Sequence, residues 1–208
     1  MNRYILFIIT CIAFICGCND HYFHDTGLAN GKHDCTIWEY MQNDKENWDS
    51  TLLIIKRAGL ESLFDGSDSE HKEITFFGPT NIAVMQFLFK TVDDRNQMLY
   101  RSVDEIPVEL CRQMILSHVI KGRKMKNTFE YENVGTLTGG TIEKNLLGND
   151  LRIYRTKSSY MDIPDIGPED LFIHSLKYGH IVYISTSNLE MTNGIVHALS
   201  NTYQITEL

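Results

Sequence analysis

The decamer Thr75-Phe76-Phe77-Gly78-Pro79-Thr80-Asn81-Ile82-Ala83-Val84 constrains this chain more than any other stretch. Three β-prone residues run into Gly-Pro-Thr-Asn, and an apolar helical pattern begins directly afterwards. A strand that feeds a helix so abruptly needs a sharp corner. Such corners can cradle an anion on free backbone N–H groups. This one has a single Gly, no Lys and a Pro that removes a donor, and it fits neither G-x-G-x-x-G nor G-x-x-x-x-G-K-[ST]. It therefore reads as scaffold. Pro79 ends the strand, Thr80 and Asn81 offer side-chain oxygens to the free helix N–H groups, and Ala83 permits close packing.

The rest of the chain is arranged around this corner. Upstream, Thr36 to Phe64 reads as two helices, with Asp49 or Ser50 capping the second, Leu52, Ile55 and Leu60 along one face, and Gly59 as the stop. Asp65 to Glu73 is a solvated loop, and Ile74 to Phe77 a strand. The helix after the corner carries Ile82, Met85, Leu88 and Phe89 as its apolar pattern. A further helix starts at Pro107, a favoured first-turn position, and runs to about His118. Val108, Cys111, Ile115 and His118 fall on one stripe of it. That makes Cys111 a small buried hydrophobe in preference to half of a bridge with Cys35. Beyond it the pattern changes to short β-type runs in Val134 to Arg155, broken by Gly-Gly and Gly-Asn-Asp turns. Two or three more strands follow in His180 to Ser185 and Gly194 to Ile205. Helices in front, strands behind and one early strand describe an α+β domain.

The N-terminus bears on where the protein resides. Arg3 precedes an uncharged run, Tyr4 to Ile15, too short to span a bilayer as a helix and shaped like an export signal. It ends in Ile15-Cys16-Gly17-Cys18, which resembles the lipobox of bacterial lipoproteins. The resemblance implies cleavage before Cys18 and acylation of its thiol and new amino group, and several acyl chains anchor effectively permanently. The expected organisation is a signal peptide at 1–17, a flexible tether at 18–34 containing Gly27 and Gly31, and one domain at 35–208. Loss of Arg3, the only charged residue before Cys18, moves the formal charge from -8 to -9. An acidic product argues against nucleic acid and against electrostatic binding to anionic lipid, so the lipid on Cys18 would hold the membrane. Asp20 and Asp25 resemble the surface-export signals of some Gram-negative lipoproteins, which places the expected location at the outer membrane, facing the cell exterior.

Four motifs in order resemble the fasciclin domain, over Thr36 to Ile205. The family's first box, approximately T-x-F-A-P-T-N-x-A-F, stands here as Thr75 to Val84. Its second box, N-G-x-[IV]-H, stands as Asn193-Gly194-Ile195-Val196-His197. Between them, Met114 to Lys124 matches the helix-end segment where the family has Tyr-His, and Gly135 to Gly140 matches its T-L-x-G turn. The resemblance implies a single domain of helices packed on a β-sheet wedge or sandwich, with the two boxes paired inside it. Thr75, Pro79, Thr80, Asn81, His118, Asn193, Gly194 and His197 would then be framework. Asn193-Gly194 would supply the turn that lets Ile195 to Leu199 join the sheet, and His118 and His197 would be partly buried and satisfy backbone groups. Two departures stand out. Gly78 replaces the usual Ala, which should loosen the corner, and Ser117 stands where Tyr precedes His118. Integrin recognition, which some animal members place in that region, is not carried over.

Signals for chemistry are missing. No C-x-x-C, H-E-x-x-H or EF-hand spacing occurs, so neither a metal nor a cofactor is expected, and no G-x-S-x-G elbow accompanies the histidines. Asp93-Asp94, Asp104-Glu105 and Glu169-Asp170 sit where solvation or helix capping explains them, leaving no facing pair for glycoside hydrolysis. A non-enzymatic adhesion or interaction module is the reading that fits. Its partner would be a protein or glycan at the cell surface. The alternative is an accessory subunit of an outer-membrane nutrient-uptake complex, bound to its transporter. Two exposed segments could carry the contact. One is the basic run of Lys121, Arg123 and Lys124. The other is the excursion Ser158 to Phe172, with Tyr160, Met161 and Phe172. The excursion ranks first because interfaces favour aromatic residues and Met over Lys, although an irregular edge segment packed on its own sheet would look the same.

Overall fold

The structure, a computed structural model, describes residues 31–208 except 162, 164 and 207. The expected signal peptide, Cys18 and the tether up to residue 30 lie outside the described residues.

Thr36 to Asp65 folds as three helices where the sequence suggested two: α1 (Ile37–Asn43), α2 (Lys45–Ala58) and α3 (Glu61–Asp65). A reciprocal capping box opens α1. The Thr36 hydroxyl accepts from the Glu39 N–H at 3.2 Å, and the Glu39 carboxylate accepts from the Thr36 N–H at 2.8 Å. Asp44, at φ -118° and ψ 64°, breaks the helical path and starts α2. Asp49 and Ser50 therefore lie inside α2 and do not cap it. Gly59 stops α2 in the left-handed conformation and donates back to Ile55 and Lys56, the usual use of glycine just past a helix end. Trp48, Leu52, Ile54 and Ile55 form the buried side of α2.

Strand β1 (Ile74–Gly78) is buried along its whole length, and the corner at Pro79 leads into α4 (Asn81–Lys90). Of the apolar pattern read from the sequence, only Leu88 packs against the core. Ala83, Val84 and Phe87 face the core, while Ile82, Met85 and Phe89 are exposed. Because α4 is apolar almost all round, its periodicity does not say which stripe turns inward. The side chain of Asn81, bonded to the start of α2, sets that rotation. Helix α5 (Val108–Ser117) buries Cys111, Met114 and Ile115 but leaves Val108 exposed. Cys35 and Cys111 are unbridged.

The strands β2 (Val119–Lys121), β3 (Thr141–Lys144), β4 (Asp150–Lys157), β5 (Glu169–Ser175), β6 (Ile181–Met191) and β7 (Gly194–Leu199) complete one sheet with β1. Its order is β2-β1-β7-β6-β5-β4-β3. Strand β1 pairs parallel with β7, Thr75 opposite Ile195 and Phe77 opposite His197, so the two boxes of the sequence lie side by side. All other neighbours are antiparallel. The sheet curls until its ends meet: Ile120 bridges Asn145, and the Leu146 N–H donates to the Val119 carbonyl at 2.9 Å. Inside the curl, Phe64 meets Phe76 edge-on at 4.9 Å between ring centres, a favoured aromatic geometry. Phe172 belongs to β5 and not to a connecting loop. The excursion between β4 and β5 is thus Ser158 to Pro168.

Candidate functional site

At the junction of the two boxes, read from the sequence as scaffold, the polar side chains are committed to the fold. Thr75 donates its hydroxyl to the Gly122 carbonyl at 2.7 Å and accepts from the Lys124 N–H at 2.8 Å. The Pro79 carbonyl accepts from Thr51 at 2.5 Å. Thr80 and Asn81 do not cap α4 with their side chains. Thr80 reaches Asn201 at 3.0 Å. Asn81 accepts from the Ser50 N–H at 2.7 Å and donates to the Lys45 and Glu46 carbonyls, both at 2.8 Å. It clamps the corner onto α2.

Asn193 does the same for the second box. Its carbonyl oxygen accepts from the Ile37 N–H and its amide donates to the Phe64 carbonyl, both at 2.8 Å and both buried. The turn between β6 and β7 is Thr192-Asn193, and Gly194 already sits in the strand. Its role is space, since a Cβ there would lie 2.1 Å from the Ile74 carbonyl oxygen. Gly78 likewise does not loosen the corner. A Cβ at that position would meet the Trp48 ring at 2.4 Å, so Gly is what lets the indole close over β1.

His118 and His197 are fully buried, where partial burial was expected. His118 Nδ1 lies 2.5 Å from the Met114 carbonyl and so carries the proton, which leaves Nε2 to accept from the Tyr203 hydroxyl at 2.9 Å. In His197, Nε2 donates to the Lys124 carbonyl at 2.9 Å and Nδ1 accepts from the Asn188 N–H at 3.3 Å. Burial pushes both imidazoles down to about 4 and Tyr203 up to about 12, because the charged forms lose their hydration. The histidines are neutral connectors.

The basic run is largely consumed within the fold. Arg123 pairs with Glu190 at 2.9 Å and donates to the Met191 and Thr192 carbonyls at 2.7 and 3.1 Å, holding the β6–β7 turn. Lys124 pairs with Glu143 at 2.8 Å. Only Lys121 of the three is an exposed residue. The run is therefore not an open basic patch.

The excursion is a small finger. At its base Ser158 and Pro168 are joined at 3.1 Å, and nearer the tip Tyr160 and Ile163 exchange two backbone bonds of 3.0 Å. Met161, on the tip turn, has φ 49°. This left-handed conformation costs a residue other than Gly about 1–2 kcal/mol, and a tight hairpin turn usually meets it with Asn or Gly. The strained residue presents a methionine that is 77% exposed, beside Tyr160 at 55%. Ile163 and Ile166 are exposed as well. Phe172 is not part of this tip; its ring stands half-buried between Tyr154 and Tyr183, at 5.5 and 5.4 Å.

Beneath the finger lies a cluster that sequence reading missed. The Tyr131 hydroxyl donates to Glu169, while Arg155 and Lys157 approach the same carboxylate at 3.3 and 3.7 Å. Both cations also lie over the Tyr131 ring, at 4.0 and 5.1 Å from its centre. The hydroxyl first, and the cations after it, hold the Glu169 carboxyl below the usual range. A cavity of about 360 Å³ opens here, lined by Tyr131, Glu132, Val134, Arg155, Lys157 and Asp165. Among the described residues, no group of His, Cys, Asp or Glu could hold a metal ion, and no helix is long and apolar enough to cross a membrane.

A helical layer on one curled sheet, pinned by buried amide and imidazole side chains and displaying an apolar finger, defines an α+β scaffold domain. The pattern of the fasciclin domain matches residues 46–202, and the chain belongs to that family, whose members work in cell adhesion and protein interaction and are generally not enzymes. No curated protein matches the sequence. Among solved structures the chain is similar to a FAS1 domain pair from the insect cell adhesion molecule fasciclin I, at 15% identity and a TM-score of 0.46. That likeness covers 76% of this chain and 44% of the other, so the chain spans less than half of that structure.

Proposed function

We propose that this chain is a non-enzymatic interaction domain that grips a protein partner through the 158–168 finger. We propose further that a lipid on Cys18 holds it at the outer membrane of a Gram-negative bacterium, facing outward. The observation that carries the first reading is Met161, an exposed methionine held in a strained turn beside exposed Tyr160, Ile163 and Ile166. Strain of this kind persists where a side chain is being presented, and aromatic residues and Met anchor interfaces. The lipobox-like Cys18 supports the second reading.

The test is a pull-down from intact membranes. Tyr160→Ala with Met161→Ala should lower partner recovery about tenfold while the melting temperature stays put, because both side chains are exposed. Equal recovery would remove the finger from consideration. In parallel, Cys18→Ala should leave the membrane pellet after a carbonate wash, and its retention there would refute the anchor.

A further inference from the structure

We infer that the outward face of α4 is a self-association surface, at which two copies of this chain pack about a two-fold axis. The finger plays no part in it.

Helix α4 turns Ile82, Met85 and Phe89 to the outside, 39, 48 and 61% exposed. Spacings of three and four residues put them on one stripe. Past the helix end, Val92 pairs with Met98 and the Leu99 N–H bonds to Thr91 at 2.9 Å, adding three more exposed apolar side chains. Some polar groups beside this face are engaged within the chain. Lys90 donates to Gln86 at 2.7 Å, and the Asp93 carboxylate accepts from the N–H groups of Arg95 and Gln97, both at 2.9 Å.

Area and symmetry select a second copy. Taking roughly 200 Å² for a fully exposed large side chain, the six residues leave on the order of 500 Å² of apolar surface open. A standard interface buries about 800 Å² per partner, of which about 65% is apolar in homodimers, again about 500 Å². The stripe is also self-complementary. With the helices antiparallel and the axis between residues 85 and 86, Ile82 of one copy meets Phe89 of the other, and Met85 meets its own counterpart. Each contact then occurs twice, as a closed two-fold interface requires.

Cross-linking in the membrane tests this on the full chain. With Cys35→Ser as background, Met85→Cys oxidised with copper-phenanthroline should give a band of doubled mass. The background alone and the exposed control Val108→Cys should not. Adding Phe89→Glu should reduce that band at least tenfold without shifting the melting temperature, and Ile82→Glu should do the same independently. A missing Met85→Cys band would overturn the inference. So would a band that survives both glutamate substitutions, or one equally strong from Val108→Cys.

Discussion

Acidification from pH 7 to pH 4 should strip stability from this domain through two residues, His118 and His197. Both are buried, and both imidazoles are pushed down to about 4. In the unfolded chain they titrate near 6.5. Between those values the unfolded state holds the protons and the folded state does not, so the stability these groups provide is complete above about pH 6.5 and is lost as pH falls towards 4. A gap of about two and a half units corresponds to about 3 kcal/mol per histidine. Two of them approach the whole stability of a typical domain, about 5–15 kcal/mol. Urea unfolding at pH 7, 6, 5 and 4.5 measures this directly. Below pH 6 the unfolding free energy should fall by up to about 1.4 kcal/mol per pH unit for each histidine. Carboxylates held low, such as Glu169 and Asp68, add their loss mainly nearer pH 4. To separate the two sources, His197→Gln should lower stability at pH 7 but halve the slope between pH 6 and 5. A flat profile over that interval, or a full slope in the variant, would refute the reasoning.

Two further substitutions probe the paired boxes. Gly78→Ala should cost about 1–3 kcal/mol, the usual range for overpacking, because the methyl would sit 2.4 Å from the Trp48 ring; a melting temperature equal to or above wild type would show that the indole is free to move. Asn193→Ala leaves the Ile37 N–H and the Phe64 carbonyl buried without partners, at about 1–3 kcal/mol for each group. A chemical-denaturation loss under 1 kcal/mol would mean that water replaces both bonds.

Several local backbone signals were legible in the sequence, although the Asp44 break between α1 and α2 was not. Pro79 ended the strand, Gly59 stopped α2, Pro107 opened α5, and Gly148-Asn149 fell between β3 and β4 as read, whereas the β-type run expected from Val134 up to Gly139-Gly140 is a turn and bend over 134–137. Each legible signal depends on φ, on a missing donor or on the freedom of glycine, which one residue carries with it. The order of the four motifs was enough to give the family and the α+β class. Which side of an element faces inward was decided elsewhere. The inner stripe of α4 was not legible because Asn81 fixes its rotation by bonding Lys45, 36 residues away. Asn193 is the turn residue the sequence suggested, but its bond to Ile37, 156 residues away, was not legible. Arg123 and Lys124 looked like an open basic patch until Glu190 and Glu143 arrived from other strands. Tyr131, Arg155 and Glu169 come from three separate segments, so no spacing along the chain could unite them. Local propensity lies within the reach of a few residues, whereas burial and hydrogen-bond pairing are fixed only when the sheet curls and brings distant side chains into contact.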